Sequence, residues 1–159
     1  MALRKILVAI DFSAESARAI DTALELVRGR GGTLTLLHVV ELPAYSTPDL
    51  GMYVPSPELT DDLLRQAKRT LEDYRARCAA AGAEVEVACV AAASAVANEI
   101  VEFAAAGGFD LIVVGSHGRR GLRRFMLGSV AEKVVRTADR PVLTVHARDG
   151  AEAAAPAAS

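Results

Sequence analysis

Five short apolar runs alternate along the chain with longer segments of helical periodicity. Short runs of this kind are typical of strands that are covered on both faces. We expect strands at residues 6–10, 33–40, 84–90, 110–114 and 141–145, and helices at residues 14–28, 58–81, 95–106 and 129–138. The β-α-β-α-β-α-β-α-β order predicts an α/β fold, a doubly wound five-stranded parallel sheet with helices on both faces.

Length and composition restrict the class of protein. A chain of 159 residues fits one domain, and 52% hydrophobic residues with a net charge of −2 exclude intrinsic disorder. Nucleic-acid-binding domains are usually strongly basic, so no nucleic-acid partner is predicted. No apolar run reaches the ~20 residues of a membrane span and no secretion signal is recognisable, which predicts no membrane partner and a cytoplasmic location. Cys78 and Cys89 lack the CxxC spacing of metal or redox sites.

Two segments fall outside the alternation. Residues 41–57 have no period and contain Pro43, Pro48, Gly51, Pro55 and Pro57. A loop of this length is a lid or binding loop, or a variable surface loop, and both interpretations stay open. The Ala-rich residues 148–159 are predicted to form a disordered tail, which leaves residues 1–147 as the folded domain.

The turns that follow the strands differ in chemistry. Ligands bind to open parallel sheets beyond the carboxyl ends of the strands, where the strand order reverses. Residues 11–13 and 115–129 carry polar or glycine-rich turns, whereas residues 91–93 are three alanines. A strand order of 2-1-3-4-5 would place the alanine turn at the crevice. An order of 3-2-1-4-5 brings the two rich turns together, and this is the order that we predict.

The turn after the fourth strand has two features that suit an anion. Gly115 and Gly118 follow the strand, where a backbone without side chains lets a ligand approach closely. Gly128 and Ser129 open the last helix, whose free N–H groups and positive dipole end form an anion site. Together they predict a site for a phosphate chain. The alternative is structural, because Ser129 and Glu132 have the spacing of a capping box in which Ser129 only caps its helix.

The charged residues near these turns allow two interpretations each. Arg119 belongs to a cluster of four arginines at residues 119–124, which either holds phosphates or forms a solvated face. Asp11 is either a ligand group or an acid at the start of a helix. His117, a lone loop histidine, is interpreted as non-catalytic, and His38, within a strand, as structural.

The glycine-rich turn resembles the universal stress protein family, whose ATP-binding members carry Gly-x2-Gly-x9-Gly followed by Ser or Thr. Gly115, Gly118, Gly128 and Ser129 reproduce that spacing without a gap. The resemblance extends over roughly residues 3–146, with KILVAIDFS at residues 5–13, LLHVV at 36–40, LGSVAEKV at 127–134 and PVL at 141–143. It implies a five-stranded sheet in the order 3-2-1-4-5. At residues 94–96, SAV replaces the Gly-x-Pro or Gly-x-Ala of many relatives, which leaves the shape of that turn open.

The resemblance implies an ATP site and a homodimer. With Arg119 added from the arginine cluster, the predicted site comprises Ala9, Asp11, Val39, Gly115, Gly118, Arg119, Gly128, Ser129 and Val130. In the family pattern Asp11 lies near ribose, phosphate or a Mg²⁺ ion, Val39 meets adenine through its backbone, and the last helix cradles phosphates. Family members commonly dimerise through the fifth strand. Here that strand is an apolar edge formed by Val142, Leu143, Thr144 and Val145.

The predicted function is that of an ATP-binding universal stress protein that acts as a nucleotide-responsive stress sensor or adaptor. The alternative is a partner-binding family member with a vestigial nucleotide pocket. Neither a nucleophile–base pair nor an ordered carboxylate pair is recognisable, so fast catalysis is not predicted, and slow Mg²⁺-dependent hydrolysis through Asp11 is left open. A related ATP-using transferase or pyrophosphatase would need a HIGH-type or SGGxDS-type motif after the first strand, where the chain has Asp11-Phe12-Ser13.

Overall fold

Strands and helices alternate through the computed structural model, which describes residues 3–42, 45–47, 51–53, 56–116 and 127–146. The strands are β1 (Lys5–Ala9), β2 (Thr33–Val40), β3 (Tyr45–Thr47), β4 (Gly51–Tyr53), β5 (Glu84–Ala91), β6 (Leu111–Gly115) and β7 (Val142–Val145). The helices are α1 (Ala14–Val27), α2 (Pro57–Ala80), α3 (Val96–Gly107) and α4 (Ser129–Thr137). Apart from β3 and β4, which were not expected, the element boundaries lie within one residue of those expected from the sequence. In the described part of the chain, no helix combines the length and the apolar character needed to cross a membrane.

Five of the strands form one parallel sheet in the order β5-β2-β1-β6-β7. Numbered among themselves, these strands have the order 3-2-1-4-5, so the predicted topology is confirmed. Ala9 pairs with Leu37 of β2 on one side and with Val114 of β6 on the other. The strand order therefore reverses between β1 and β6, which is where ligands bind in folds of this class.

The segment at residues 41–57 contains more structure than the sequence predicted. β3 and β4 pair antiparallel, with Tyr45 opposite Tyr53 and Thr47 opposite Gly51. The expectation of an irregular loop was wrong for these residues, because strands of three residues are too short to produce a recognisable period-2 pattern. Whether this segment is a lid or a surface loop stays a prediction, since the other residues between 43 and 55 lie outside the described ones.

Two apolar cores lie on the two faces of the sheet. On one face α1 and α2 cover Ile6, Val8 and Leu34, and on the other face α3 and α4 cover Leu7 and Ile112. Successive residues of a strand point to opposite faces, so a strand that is covered on both faces needs apolar residues throughout. This requirement explains the uninterrupted apolar runs in the sequence.

The cysteine of α2 belongs to the first of these cores. Cys78 is buried with Leu71 and Tyr74 in the core between α2 and the sheet. Burial raises the pKa of its thiol, because an apolar environment disfavours the thiolate. Cys78 therefore acts as a small core side chain.

The helices begin in different ways. Ser13 caps α1 by accepting a 3.2 Å hydrogen bond from the Ser16 N–H, and Ser56 caps α2 in the same manner. α3 has no capping side chain at Ala95, but a carboxylate oxygen of Glu99 accepts hydrogen bonds from the N–H groups of residues 93 and 94, at 3.1 and 2.8 Å. Glu99 thus stabilises the turn that leads into α3.

Side chains tie the amino ends of three neighbouring strands together. Asp110 accepts hydrogen bonds from the backbone N–H groups of Arg4 and Lys5, both at 2.9 Å, and its own N–H donates to the Lys5 carbonyl at 2.8 Å. Arg140, just before β7, donates to the Phe109 carbonyl at 2.9 Å. These contacts fix the starts of β1, β6 and β7 relative to one another.

Replacing Asp110 by alanine tests the contact between β1 and β6. Hydrogen bonds from the Arg4 and Lys5 N–H groups hold the pKa of the Asp110 carboxyl below its ordinary value of 3.8. A depressed pKa in the folded state means that the contact stabilises the fold above pH 3.8 and that the stabilisation is lost as pH falls through the folded-state pKa. We expect urea unfolding to show that Asp110→Ala is less stable than the wild type at pH 7 and that the difference shrinks at pH 3.

Asp62→Ala is the matched control, since Asp62 forms only an exposed ion pair with Arg65 on α2. Exposed pairs contribute little to stability. An Asp110→Ala variant as stable as Asp62→Ala at pH 7 would contradict the structural role of the Asp110 carboxylate.

Candidate functional site

The sequence-predicted site residues of β1, β2 and β6 lie together at the carboxyl edge of the sheet. Ala9 is the last residue of β1 and is flanked by Leu37 and Val114 in the neighbouring strands. One or two residues further along, Asp11 follows the end of β1, Val39 lies in β2 and Gly115 ends β6. Adjacent strands of a sheet lie about 4.8 Å apart. The reversal of strand order thus brings together residues that are far apart in the sequence.

A backbone hydrogen bond closes the glycine-rich turn after β6. The Gly128 N–H donates to the Ser116 carbonyl at 2.7 Å, and the Ser116 N–H donates to the Val145 carbonyl at 2.8 Å. Ser116 is 0% exposed. The start of α4 is therefore held directly beside the end of β6. The sequence analysis missed Ser116, because its contribution here comes from backbone groups that any residue carries.

The N-cap of helix α4 is Gly128, and Ser129 is its first helical residue. Gly128 is the N-cap residue, with φ −61° and ψ 150°, and its carbonyl accepts the first helical hydrogen bond from the Glu132 N–H at 2.8 Å. The capping-box interpretation of Ser129 was wrong, because a capping side chain must stand at the N-cap and Ser129 is one residue too late.

Among the described residues no side chain caps the first turn of α4. The first N–H groups of a helix have no partner within the helix, and the dipole makes this end positive. Ser129 is exposed and Val130 is 39% exposed, so solvent reaches this turn. An anion placed here would find backbone donors that no capping side chain of the described residues occupies.

The turn after β1 is held by its own side chains. One carboxylate oxygen of Asp11 accepts a hydrogen bond from the Ser13 N–H at 3.0 Å, and Asp11 is half-buried. Phe12, between them, has φ 64°. The Asp11 carboxylate is thus anchored at the carboxyl end of β1 and takes part in the turn that leads into α1. The sequence offered no sign of the backbone conformation at Phe12.

The backbone of Val39 faces the crevice. The Leu37 carbonyl accepts from the Ile10 N–H and the Val40 carbonyl accepts from the Ala92 N–H, each at 2.9 Å. Successive residues of a strand direct their N–H and C=O groups to opposite sides, so Val39 directs its groups to the same side as Leu37, towards β1. This position lies beyond the Ile10–Leu37 hydrogen bond, where β1 has already ended.

Several predicted residues lie outside the described part of the chain. They are Gly118, Arg119, His117 and the remaining arginines at residues 120–124, together with the tail at residues 148–159. Their predicted roles stay predictions. Within the described ranges, no three His, Cys, Asp or Glu side chains come together as a metal-binding group. A Mg²⁺ ion at Asp11 would therefore need most of its oxygen ligands from water or from a bound phosphate.

A concavity lies at the amino edge of the sheet, opposite to these residues. It has a volume of about 190 Å³ and is bordered by Gly29, Gly31, Gly82 and the ends of α1 and α2. Binding pockets for small molecules usually span 300–1,000 Å³. The strand order also does not reverse there, so the carboxyl edge between β1 and β6 is the better candidate.

Sequence comparisons connect the chain to one family. A model of the Universal stress protein family matches residues 2–146. The universal stress protein YxiE of Bacillus subtilis is 37% identical over 147 residues, which cover 89% of this chain and 98% of that protein. The universal stress protein MJ0531 of Methanocaldococcus jannaschii is 33% identical over 144 residues, 89% of this chain and 81% of that protein.

Solved structures that resemble this fold include nucleotide complexes. The universal stress protein of Archaeoglobus fulgidus in complex with dAMP has a TM-score of 0.67 and 27% identity, covering 91% of this chain and 99% of that one. A universal stress protein in complex with cAMP has a TM-score of 0.60 and 28% identity over 93% and 100% of the two chains. A family member from Arabidopsis thaliana with AMP bound has a TM-score of 0.63 and 25% identity over 92% and 93%.

The start of α4 yields a stability prediction. The conformation of Gly128 is one that any L-residue adopts, so Gly128→Asp should supply the missing cap without straining the backbone. Aspartate at an N-cap stabilises a helix by a few tenths of a kcal/mol more than glycine does. Its negative charge also interacts favourably with the positive end of the helix dipole. We expect urea unfolding to show a free energy of unfolding about 0.5 kcal/mol higher than that of the wild type.

Ser56→Ala gives the reference for this experiment, because it removes an existing cap from α2. That variant should lose about 1 kcal/mol. If Gly128→Asp were also destabilised, the N-cap assignment of Gly128 would be wrong.

Proposed function

Because the chain belongs to the universal stress protein family, we propose that it binds ATP at the carboxyl edge between β1 and β6 and acts as a nucleotide-responsive stress sensor or adaptor. Structurally similar family members bind AMP, dAMP and cAMP, which supports an adenine nucleotide as the ligand. The choice of ATP rests on the spacing of Gly115, Gly118, Gly128 and Ser129. A turn with this spacing is longer than the binding of one phosphate group requires, so it suits the phosphate chain of ATP.

The observation that carries the proposal is the 2.7 Å hydrogen bond from the Gly128 N–H to the Ser116 carbonyl. It holds the uncapped first turn of α4 at the reversal of strand order, beside the end of β6. Phosphate oxygens would accept hydrogen bonds from the first N–H groups of α4, where the dipole also favours negative charge. The absence of a side chain at Gly128 lets the phosphate chain approach the backbone.

The adenosine part of the nucleotide would lie further along the same edge. Val39 directs backbone N–H and C=O groups towards the space beyond β1, and adenine can be recognised by such a donor and acceptor pair. Ala9 and Gly115 have small side chains or none, which leaves room for the ribose above the ends of β1 and β6. The nucleotide would thus span the crevice from β2 to α4.

Asp11 would act on the phosphate end through a cation. When bound, Mg²⁺ neutralises phosphate charge, and it prefers oxygen ligands such as carboxylates. The hydrogen bond from the Ser13 N–H anchors the Asp11 carboxylate at the end of β1, and we propose that this carboxylate faces the ion or its water. This role is one of binding, and the proposal assigns no rapid hydrolysis to it.

We further propose a homodimer that forms through β7. β7 is an edge strand, and all four of its residues are only half-buried. The carbonyl of Pro141 accepts from the Ile112 N–H of β6, and that of Val145 accepts from the Ser116 N–H just after β6. The alternate residues Val142 and Thr144 therefore direct their backbone groups to the open edge. An exposed apolar edge of this kind is a template for pairing with a second copy.

Isothermal titration calorimetry tests the nucleotide site. The wild-type protein should bind ATP, and Gly118→Ala and Gly128→Ala should each raise Kd about tenfold, or ~1.4 kcal/mol, because a methyl group intrudes between backbone and phosphate. Gly128→Asp should abolish binding while the fold is stabilised, because its carboxylate caps the helix and repels phosphate.

Gly82→Ala is the matched control for these glycine substitutions. Gly82 has φ 80° and lies between α2 and β5, at the opposite edge of the sheet. Alanine there should lower stability and leave the Kd for ATP unchanged. A wild-type protein that binds no ATP at millimolar concentration would refute the proposal. Cells that function normally with Gly128→Asp would favour a partner-binding role that does not use the nucleotide.

Proline substitution tests the proposed dimer edge. Thr144→Pro removes a backbone N–H that points away from β6 and so retains the β6–β7 hydrogen bonds. We expect sedimentation or light scattering to show a dimer for the wild type and for Thr144→Val, but a monomer for Thr144→Pro. A wild-type monomer, or a Thr144→Pro dimer, would contradict pairing through β7.

A further inference from the structure

Phe12 has an unusual backbone conformation. Among the described residues it is the only non-glycine residue with a positive φ, at 64°. The left-handed region disfavours side chains with a Cβ atom, and a bulky residue there is a genuine outlier. Such a conformation persists only when surrounding contacts enforce it, and these cases cluster at functional sites.

The contacts that enforce it come from two other elements. The Phe12 ring packs on the His38 ring of β2, with centroids 4.3 Å apart, and on the Tyr74 ring of α2, with centroids 6.0 Å apart. Nδ1 of His38 lies 2.8 Å from the Ile10 carbonyl, which orients that ring. Tyr74 is itself buried in the core between α2 and the sheet. The Phe12 ring therefore rests on a fixed aromatic platform.

The left-handed turn determines where Asp11 is held. It brings the Ser13 N–H back to within 3.0 Å of the Asp11 carboxylate, across Phe12. Ser13 then begins α1, because its hydroxyl accepts from the Ser16 N–H at 3.2 Å. We expect a relaxed backbone at Phe12 to move the Ser13 N–H relative to the Asp11 carboxylate and to weaken this hydrogen bond.

We propose that Phe12 is a positioning residue, whose ring, seated on His38 and Tyr74, holds the turn that fixes the Asp11 carboxylate at the crevice. Its effect on nucleotide affinity rests on the proposed function, whereas the positioning of Asp11 does not. In this proposal Phe12 acts on the nucleotide site through the position of Asp11. Removal of the Phe12 ring should therefore lower the affinity for ATP. The loss should equal the affinity that the fixed position of Asp11 provides, and it should not exceed it.

Three substitutions separate positioning from simple stabilisation. Phe12→Tyr keeps the ring, Phe12→Ala removes the ring and keeps the strain, and Phe12→Gly removes both, because glycine adopts positive φ freely. Phe12→Gly should be more stable than Phe12→Ala in urea unfolding. Both should nevertheless raise the Kd for ATP about tenfold, since neither holds the turn, and Phe12→Tyr should bind as the wild type does.

The ligand-free protein provides a readout that does not depend on nucleotide binding. Hydrogen exchange of the Ser13 amide, followed by NMR, reports the hydrogen bond to Asp11. It should be accelerated in Phe12→Ala and Phe12→Gly to the rate found in Asp11→Ala, and unchanged in Phe12→Tyr. Unchanged exchange in the Phe12→Gly variant would overturn the proposal. A wild type that binds no ATP would refute the proposed function alone, and the exchange data would still decide the role of Phe12.

A double-mutant cycle completes the test. In the Asp11→Ala background, Phe12→Ala should leave the Kd for ATP unchanged, because Phe12 acts through Asp11. The same loss of affinity with and without Asp11 would overturn the proposal. Phe103→Ala is the matched control, since Phe103 is also half-buried and stacks on another phenylalanine, Phe109, at 5.9 Å on the opposite face. It should lower stability without changing Ser13 exchange or ATP affinity.

Discussion

The pairing of β1 with β6 is the contact on which the rest of the structure depends. These strands are about one hundred residues apart in the sequence, yet Ile6 pairs with Leu111 and Ala9 with Val114. Loop-closure entropy opposes such a distant contact, so it needs strong local support. The support is the Asp110 carboxylate, which accepts two backbone hydrogen bonds from the start of β1. Without this pairing, Asp11 and the glycine-rich turn would not share an edge.

The two edges of the sheet have different tasks. At the amino edge, side chains bond to backbone groups: the Asp110 carboxylate accepts hydrogen bonds, and the Lys5 and Arg140 side chains donate them. The Lys5 ammonium group also lies over the Phe109 ring, 4.7 Å from its centroid. At the carboxyl edge, the backbone groups of Val39 and of the first turn of α4 are directed to where β1 and β6 end. Rigid support at one edge therefore allows the other edge to keep hydrogen-bonding groups available, which is how binding sites are commonly placed on α/β scaffolds.

Sequence reasoning succeeded where burial dictates the residue type and failed where geometry depends on distant contacts. The strands and their order were predictable, because strands covered on both faces must be apolar throughout. The N-cap of α4 was not, since Gly128 and Ser129 are both acceptable there and only backbone angles decide between them. The conformation of Phe12 was also hidden, because it is imposed by His38 and Tyr74 from other elements.

The backbone at the carboxyl edge breaks a local preference at Phe12. Natural sequences usually agree with local preferences, and exceptions tend to mark function. Phe12 occupies a left-handed conformation that glycine would adopt without strain. It lies between the end of β1 and the start of α1, and α1 itself follows the usual capping rules through Ser13. The backbone conformation of Phe12 thus points to this edge as the functional one, independently of any relative.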